Sequence, residues 1–75
     1  MSTQSSELTA TILRALKAYK VEQGLSEEEA KKWADDHFTE GSVRVNAVLA
    51  AHRQDMETGF QEAFVGLKAW ARATS

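Results

Sequence analysis

The sequence predicts an all-α fold, a small domain of three helices in a helical hairpin or bundle with a long C-terminal helix, completed by homodimerisation. The 75 residues contain no proline and only four glycines, while alanine, glutamate, lysine and leucine are abundant, and this composition favours helices. Apolar side chains recur three or four positions apart, which is the period of an amphipathic helix. Glycines and capping residues separate the periodic segments, as expected at helix ends.

Length and cysteine content indicate how so small a domain is stabilised. A chain of 75 residues buries only about 60% of its unfolded surface, and domains of this size usually need a staple or a partner. The chain has no cysteine and only two histidines, so disulfides are excluded and a metal site is not expected. We therefore expect oligomerisation or docking on another protein, with no metal and no cofactor.

Charge and hydropathy limit the classes of partner. Nine Lys and Arg residues against eleven Asp and Glu residues give a net charge of -2, so the chain lacks the overall positive field of a typical polyanion-binding protein. No apolar run approaches the ~18 residues that span a bilayer. Residues 1–7 also lack the basic start and the apolar core of a signal peptide. We expect a cytoplasmic protein that makes no membrane contact.

The N-terminal part of the chain divides into a tail and a first helix. After the initial methionine, residues 2–5 are polar and without periodicity, which predicts a disordered tail over residues 1–5. Residues 6–75 are predicted to form a single helical domain. Its first helix spans 6–23, where Ser6 can act as the N-cap and Gly24 can end the helix in a left-handed conformation.

The second helix is predicted over 27–38. Ser26 and Glu29 match the S-x-x-E capping box, in which each side chain accepts a hydrogen bond from the other residue's backbone N–H. A second corner is expected at residues 39–42, because Gly41 is placed to end this helix in the same left-handed conformation.

The third helix is predicted over 42–72, where apolar or small side chains recur at helical spacing almost to the end of the chain. At 1.5 Å per residue it would be roughly 46 Å long, too long for two shorter helices to cover. Two alternatives stay open. A very short strand is compatible with the alternating β-branched residues at 43–45, and a break at Gly59 would produce a fourth helix.

The C-terminal half of this third helix carries the predicted interaction site, which we call the apolar row. The row consists of Met56, Phe60, Ala63, Phe64, Leu67 and Trp70. Because the two shorter helices cannot cover a helix of this length, the row is expected to be partly bare, and bare apolar patches mark association surfaces. We predict a symmetric homodimer in which the third helices pack antiparallel along the row.

The leading functional prediction is a small non-enzymatic adaptor or inhibitor, a regulator of the phage or bacterial accessory kind. It would bind a larger protein through the apolar row. No zinc-protease, phosphate-loop, nucleophile-elbow or EF-hand motif occurs in the sequence, so neither an enzyme nor a small-molecule substrate is expected. Asp35, Asp36 and His37 are consecutive, and consecutive helical residues point about 100° apart, which does not suit one metal ion.

The alternative is a dimeric DNA-binding transcriptional regulator. Arg14, Lys17 and Lys20 put three cations on or near one side of the first helix. Arg44 lies at the start of the predicted third helix, and cations of this kind contact phosphates and bases. The second helix begins with three glutamates, which would repel phosphates if that helix entered a groove. Nucleic acid is therefore the second expectation, after a protein partner.

Overall fold

The computed structural model describes residues 3–75, with side chains from Ser6 onward. Its helices in chain order are α1 (Thr3–Glu22), α2 (Glu27–Ala51) and α3 (Met56–Ala73). All regular structure in the described residues is helical, so the predicted all-α fold of three helices is confirmed. The predicted tail at residues 1–5 overlaps the start of α1, and Met1 and Ser2 lie outside the described residues.

The three helices form an up-down-up bundle that measures 38 × 27 × 16 Å. Lys20, near the end of α1, lies over Trp33, near the start of α2, and its ammonium reaches Thr74 just beyond α3. We call this the closed end of the bundle. The opposite end, where α1 begins, α2 ends and α3 begins, is called the open end.

The core lies between the three helices along the bundle. The largest fully buried side chains are Ile12, Leu16, Val45 and Leu67. They come from all three helices, and small residues such as Ala34 and Ala71 fill the space around them. Burial of these side chains is the main source of stability that a chain without disulfides can have.

The corner between α1 and α2 forms as predicted. Gly24 has a φ of +106°, a conformation that is open to glycine at little cost. The N–H of Leu25 donates to the carbonyl of Lys20 at 3.1 Å, and the N–H of Gly24 donates to the carbonyl of Val21 at 2.9 Å. These two bonds are the Schellman motif, and they satisfy carbonyls that the helix end would leave unpaired.

The predicted capping box is also present at the start of α2. The Ser26 hydroxyl accepts from the Glu29 N–H at 3.1 Å, and the Glu29 carboxylate accepts from the Ser26 N–H at 3.0 Å. The first turn of α2 carries three glutamates, which interact favourably with the positive end of the helix dipole.

The second predicted corner does not form, because α2 continues without interruption through residues 39–42. Gly41 faces side chains of both α1 and α3. A Cβ atom added there would lie 3.3 Å from a methyl carbon of Leu16 and 3.3 Å from one of Leu67. The glycine therefore allows close packing and does not end the helix. The predicted helix end at 38 and the alternative strand at 43–45 are both wrong, since these residues belong to α2.

The prediction of one long C-terminal helix over 42–72 is also wrong, because the chain turns at residues 52–55. The longest helix is α2, with 25 residues, and α3 has 18. The turn is stabilised by Asp55, the N-cap of α3. Its carboxylate accepts from the Thr58 N–H at 3.2 Å and from the Thr58 hydroxyl at 2.7 Å.

Because α3 folds back on the bundle, part of the apolar row is covered by the chain's own helices. Instead of extending away from the bundle, α3 packs against α2 and α1. Gly59 lies inside α3, so the alternative break at this residue is wrong as well. A Cβ atom added at Gly59 would lie only 2.9 Å from the Cβ of His52, which indicates that the turn and the first part of α3 are in close contact.

Candidate functional site

The apolar row on α3 is divided between the core and the surface. Ala63 and Leu67 are buried, with 2% and 1% of their surface exposed. Phe64 and Trp70 are half-buried and pack against the core. These four residues form internal contacts that the sequence prediction had assigned to a partner.

The remaining two residues of the row, Met56 and Phe60, are exposed by 43% and 41%. They lie in a groove at the open end with a volume of about 520 Å³. The groove is lined by Glu7, Leu8, Thr11, Leu49, Met56 and Phe60. Four of these six side chains are apolar, and they come from all three helices. We call this site the open-end groove.

The turn at 52–55 determines where the exposed pair lies. Two hydrogen bonds from Thr58, first that of its hydroxyl and then that of its backbone N–H, hold the pKa of Asp55 below its usual value. The same bonds fix the first turn of α3. On the other side of the turn, His52 Nε2 lies 3.1 Å from Glu62 Oε1. Met56 and Phe60 are therefore held by a capped helix start.

The closed end contains an aromatic cluster. The rings of Trp33 and His37 stack with their centroids 4.0 Å apart and an interplanar angle of 14°, and Trp70 is tilted against Trp33 at 5.9 Å. His37 Nδ1 lies 2.9 Å from the Trp33 carbonyl oxygen. The Trp33 indole N–H is buried and has no hydrogen-bond partner among the described residues. The cluster serves as packing between the helices, because its rings lie against one another.

Lys20 belongs to this closed end and not to a basic surface. Only 4% of the residue is exposed, and its ammonium lies 4.3 Å from the centroid of the Trp33 ring and donates to the carbonyl of Thr74. Burial removes water from the ammonium and so lowers the pKa of Lys20. Of the three cations predicted on one side of α1, Lys20 is therefore not available at the surface.

The other two cations of α1, Arg14 and Lys17, lie beside a lysine from α2. A second groove, which we call the α1–α2 groove, is lined by Leu13, Arg14, Lys17, Lys31, Ala34 and Asp35. The antiparallel packing of α1 on α2 brings Lys31 beside Arg14. Arg44 does not line this groove, and its guanidinium lies 5.0 Å from the Trp70 ring centroid.

Residues 3–75 contain neither a cluster of metal ligands nor a membrane-spanning helix. No group of three or more metal-binding side chains converges there. None of the three helices is both long and apolar enough to cross a membrane.

No family model matches the chain, and neither a curated protein nor a solved structure matches it significantly. The two grooves are therefore the structural features that bear on function.

Proposed function

We propose that this protein is a non-enzymatic interaction module that binds a short apolar helical segment of a larger protein in the open-end groove, and so acts as an adaptor or inhibitor. The observation that carries the proposal is the exposure of Met56 and Phe60 beside Leu8 and Leu49. The rest of the apolar row packs in or against the chain's own core. The groove is thus the part of the row that offers most apolar surface to a partner.

The spacing of the exposed pair supports a helical ligand. Met56 and Phe60 are four residues apart on α3, which corresponds to about 6 Å along the helix. Two apolar side chains one turn apart on a partner helix have the same spacing. Binding of such anchors in an apolar groove is a recurring mode of helix recognition.

The size of the groove supports a short segment more than the predicted homodimer. Two large side chains that are two-fifths exposed offer on the order of 200 Å². A standard interface buries roughly 800 Å² on each partner. The fold-back of α3 also covers the surface that an antiparallel dimer of third helices would need. Homodimerisation is kept as one outcome of the test.

A displayed library of helical peptides, selected against the purified protein, tests this proposal. We expect the selected peptides to share large apolar residues one turn apart. They should bind Phe60→Ser at least about tenfold more weakly than the wild type, because an anchor contact is lost. Val65→Ser is the matched control, since Val65 is 71% exposed on the same helix and does not line the groove.

Both variants should keep the helical circular dichroism of the wild type. Equal binding of the selected peptides to Phe60→Ser and to Val65→Ser would contradict the proposal. Sedimentation of the wild type and of Phe60→Ser shows whether the groove binds a second copy of this chain or a segment of another protein. A wild-type dimer that dissociates in Phe60→Ser would assign the groove to a second copy of this chain instead.

The DNA-binding alternative stays a prediction that no observation favours over a protein partner. Arg14, Lys17 and Arg44 remain candidates for phosphate contacts, but the ammonium of Lys20 is buried. Binding through the three remaining cations must weaken steeply as salt is added, whereas apolar peptide binding must not. The cytoplasmic location and the phage or bacterial accessory role also stay predictions.

A further inference from the structure

The α1–α2 groove lies on the other side of α1 from the open-end groove. With about 100° between successive helical residues, Leu13 and Lys17 point away from the direction of Leu8 and Thr11. We propose that this second groove binds an acidic segment of a protein partner. Its cations would bind carboxylates, and its floor would contact an apolar side chain between them. The proposal does not depend on what occupies the open-end groove.

The charges around the groove are available for such a ligand. Arg14 and Lys31 are exposed, and neither forms an ion pair with another described residue. Lys17 Nζ lies 3.2 Å from Glu27 Oε1, but the Glu27 side chain is 79% exposed. Exposed pairs of this kind contribute little, so Lys17 can exchange Glu27 for a carboxylate of the ligand. Asp35 is the one carboxylate in the lining, against three cations.

The floor of the groove distinguishes a peptide from a nucleic acid. Leu13 is half-buried and Ala34 is buried, so the space between the cations is apolar. A nucleic-acid backbone carries a negative charge at every nucleotide, and it offers no aliphatic side chain to this floor. An acidic peptide can place a carboxylate beside each cation and an apolar side chain on the floor. Charge and apolar surface therefore complement an acidic, partly apolar segment.

The groove is long enough for several residues of such a ligand. A shallow depression lined by Ser6, Thr9, Ala10 and Leu13 adjoins it and shares Leu13. From Ser6 to Lys17 the two depressions extend about 17 Å along α1. About five extended residues, or three turns of helix, cover this length.

Fluorescence anisotropy with a defined probe tests the proposal on the full chain. The probe is a short labelled peptide in which glutamates flank leucines, and its glutamine analogue is the neutral comparison. We expect the acidic peptide to bind and the analogue to bind at least about tenfold more weakly. Lys31→Glu should weaken binding of the acidic peptide by about five- to tenfold, and physiological salt should weaken it further.

Lys32→Glu is the matched control, because it makes the same charge change one residue away. Lys32 pairs with Asp36 at 3.5 Å and does not line the groove, so its effect should stay below about twofold. Equal losses from Lys31→Glu and Lys32→Glu, or equal binding of the glutamine analogue, would overturn the proposal. Displacement of the peptide by duplex DNA at lower concentration than by unlabelled peptide would assign the groove to nucleic acid instead. Binding that is unchanged in Phe60→Ser supports the separation of the two grooves, and binding lost in that variant overturns it.

Discussion

The two ends of the bundle cover their apolar side chains in different ways. At the closed end, three side chains at or just beyond the end of α1 donate hydrogen bonds to backbone carbonyls that lie between the middle of α3 and the residue after it. The bonds run from Tyr19 to Phe64 at 3.4 Å, from Lys20 to Thr74, and from Gln23 to Arg72 at 3.1 Å. Trp33 and Trp70 pack between the helices beside these bonds.

At the open end, the polar contacts belong to the turn between α2 and α3. Asp55 bonds to Thr58, and His52 pairs with Glu62. The apolar side chains of Met56 and Phe60 remain partly exposed beside these contacts. The difference indicates that the closed end holds the fold together, while the open end leaves apolar surface exposed, and we propose that a partner binds there. Substitutions at the two ends should therefore separate stability from binding.

Leu67→Ala is expected to have the largest effect, because it truncates the large buried side chain of the apolar row. Leu67 is 1% exposed, and truncation of a buried leucine costs about 2–5 kcal/mol. A domain of this size has a total unfolding free energy of only roughly 4–11 kcal/mol. We expect Leu67→Ala to lose much of its stability in urea unfolding followed by circular dichroism, with or without a bound peptide.

Phe60→Ala is the comparison within the same row. Phe60 is 41% exposed and borders an open groove, so its truncation removes less buried surface and leaves no closed cavity. We expect a loss below about 1.5 kcal/mol in the same assay. If the two variants lost equal stability, the proposed difference between the buried and the exposed parts of the row would be refuted.

The parts of this fold that the sequence predicts are those with local determinants. The corner at Gly24 and the capping box of Ser26 and Glu29 depend on donors and acceptors that lie within a few residues of one another. Propensity and capping chemistry act over the same range. The corner and the capping box could therefore be predicted from the sequence without knowledge of how the helices pack.

The errors concern residues whose roles depend on distant parts of the chain. Gly41 has the sequence pattern of a helix end, but Leu16 and Leu67 make it a site of close packing. The turn at 52–55 did carry a local pattern, since Arg53, Gln54 and Asp55 are three consecutive polar residues and aspartate is a good N-cap. The continuous apolar period across this stretch obscured it.

The candidate site was predicted in part for the same reason. Hydrophobic periodicity identifies which residues of α3 share a face, but it does not show what covers that face. The spacing of Met56, Phe60 and Leu67 predicts one shared face, and only the packing of the other helices distinguishes the exposed members from the buried one. The position of Lys31 beside Arg14 likewise depends on tertiary packing that neither helix encodes alone.

Two glycine substitutions give smaller effects of opposite sign. Gly24→Ala forces a Cβ atom onto a residue with a φ of +106°, at a cost of about 1–2 kcal/mol. Gly66→Ala adds a Cβ atom inside α3 where no atom lies within 4 Å, and it should stabilise by about 0.5–1 kcal/mol through helix propensity. Urea unfolding measures both. A neutral Gly24→Ala variant would show that the closed end tolerates a different corner.

A pH dependence at the closed end is the smallest expected effect. Burial lowers the pKa of Lys20 from its usual value of 10.5, so between the lowered pKa and 10.5 the unfolded chain binds more protons than the folded chain. The free energy of unfolding therefore rises with pH through this window, as far as Lys20 is concerned. The reference is Lys20→Met, which keeps the apolar stem of the side chain and removes the ammonium.

Tyr19 makes this reference necessary, because burial, with a smaller contribution from the charge of Glu22, raises its pKa above 10.0. A raised tyrosine pKa lowers stability as pH rises past 10.0, which opposes the effect of Lys20. Tyr19 is present in both proteins, so its contribution largely cancels in the difference. We expect the stability of the wild type to increase relative to Lys20→Met as the pH is raised in steps toward 10.5. A difference that stays constant over this range would mean that water reaches the ammonium, and that the closed end is more open than the contacts of Lys20 indicate.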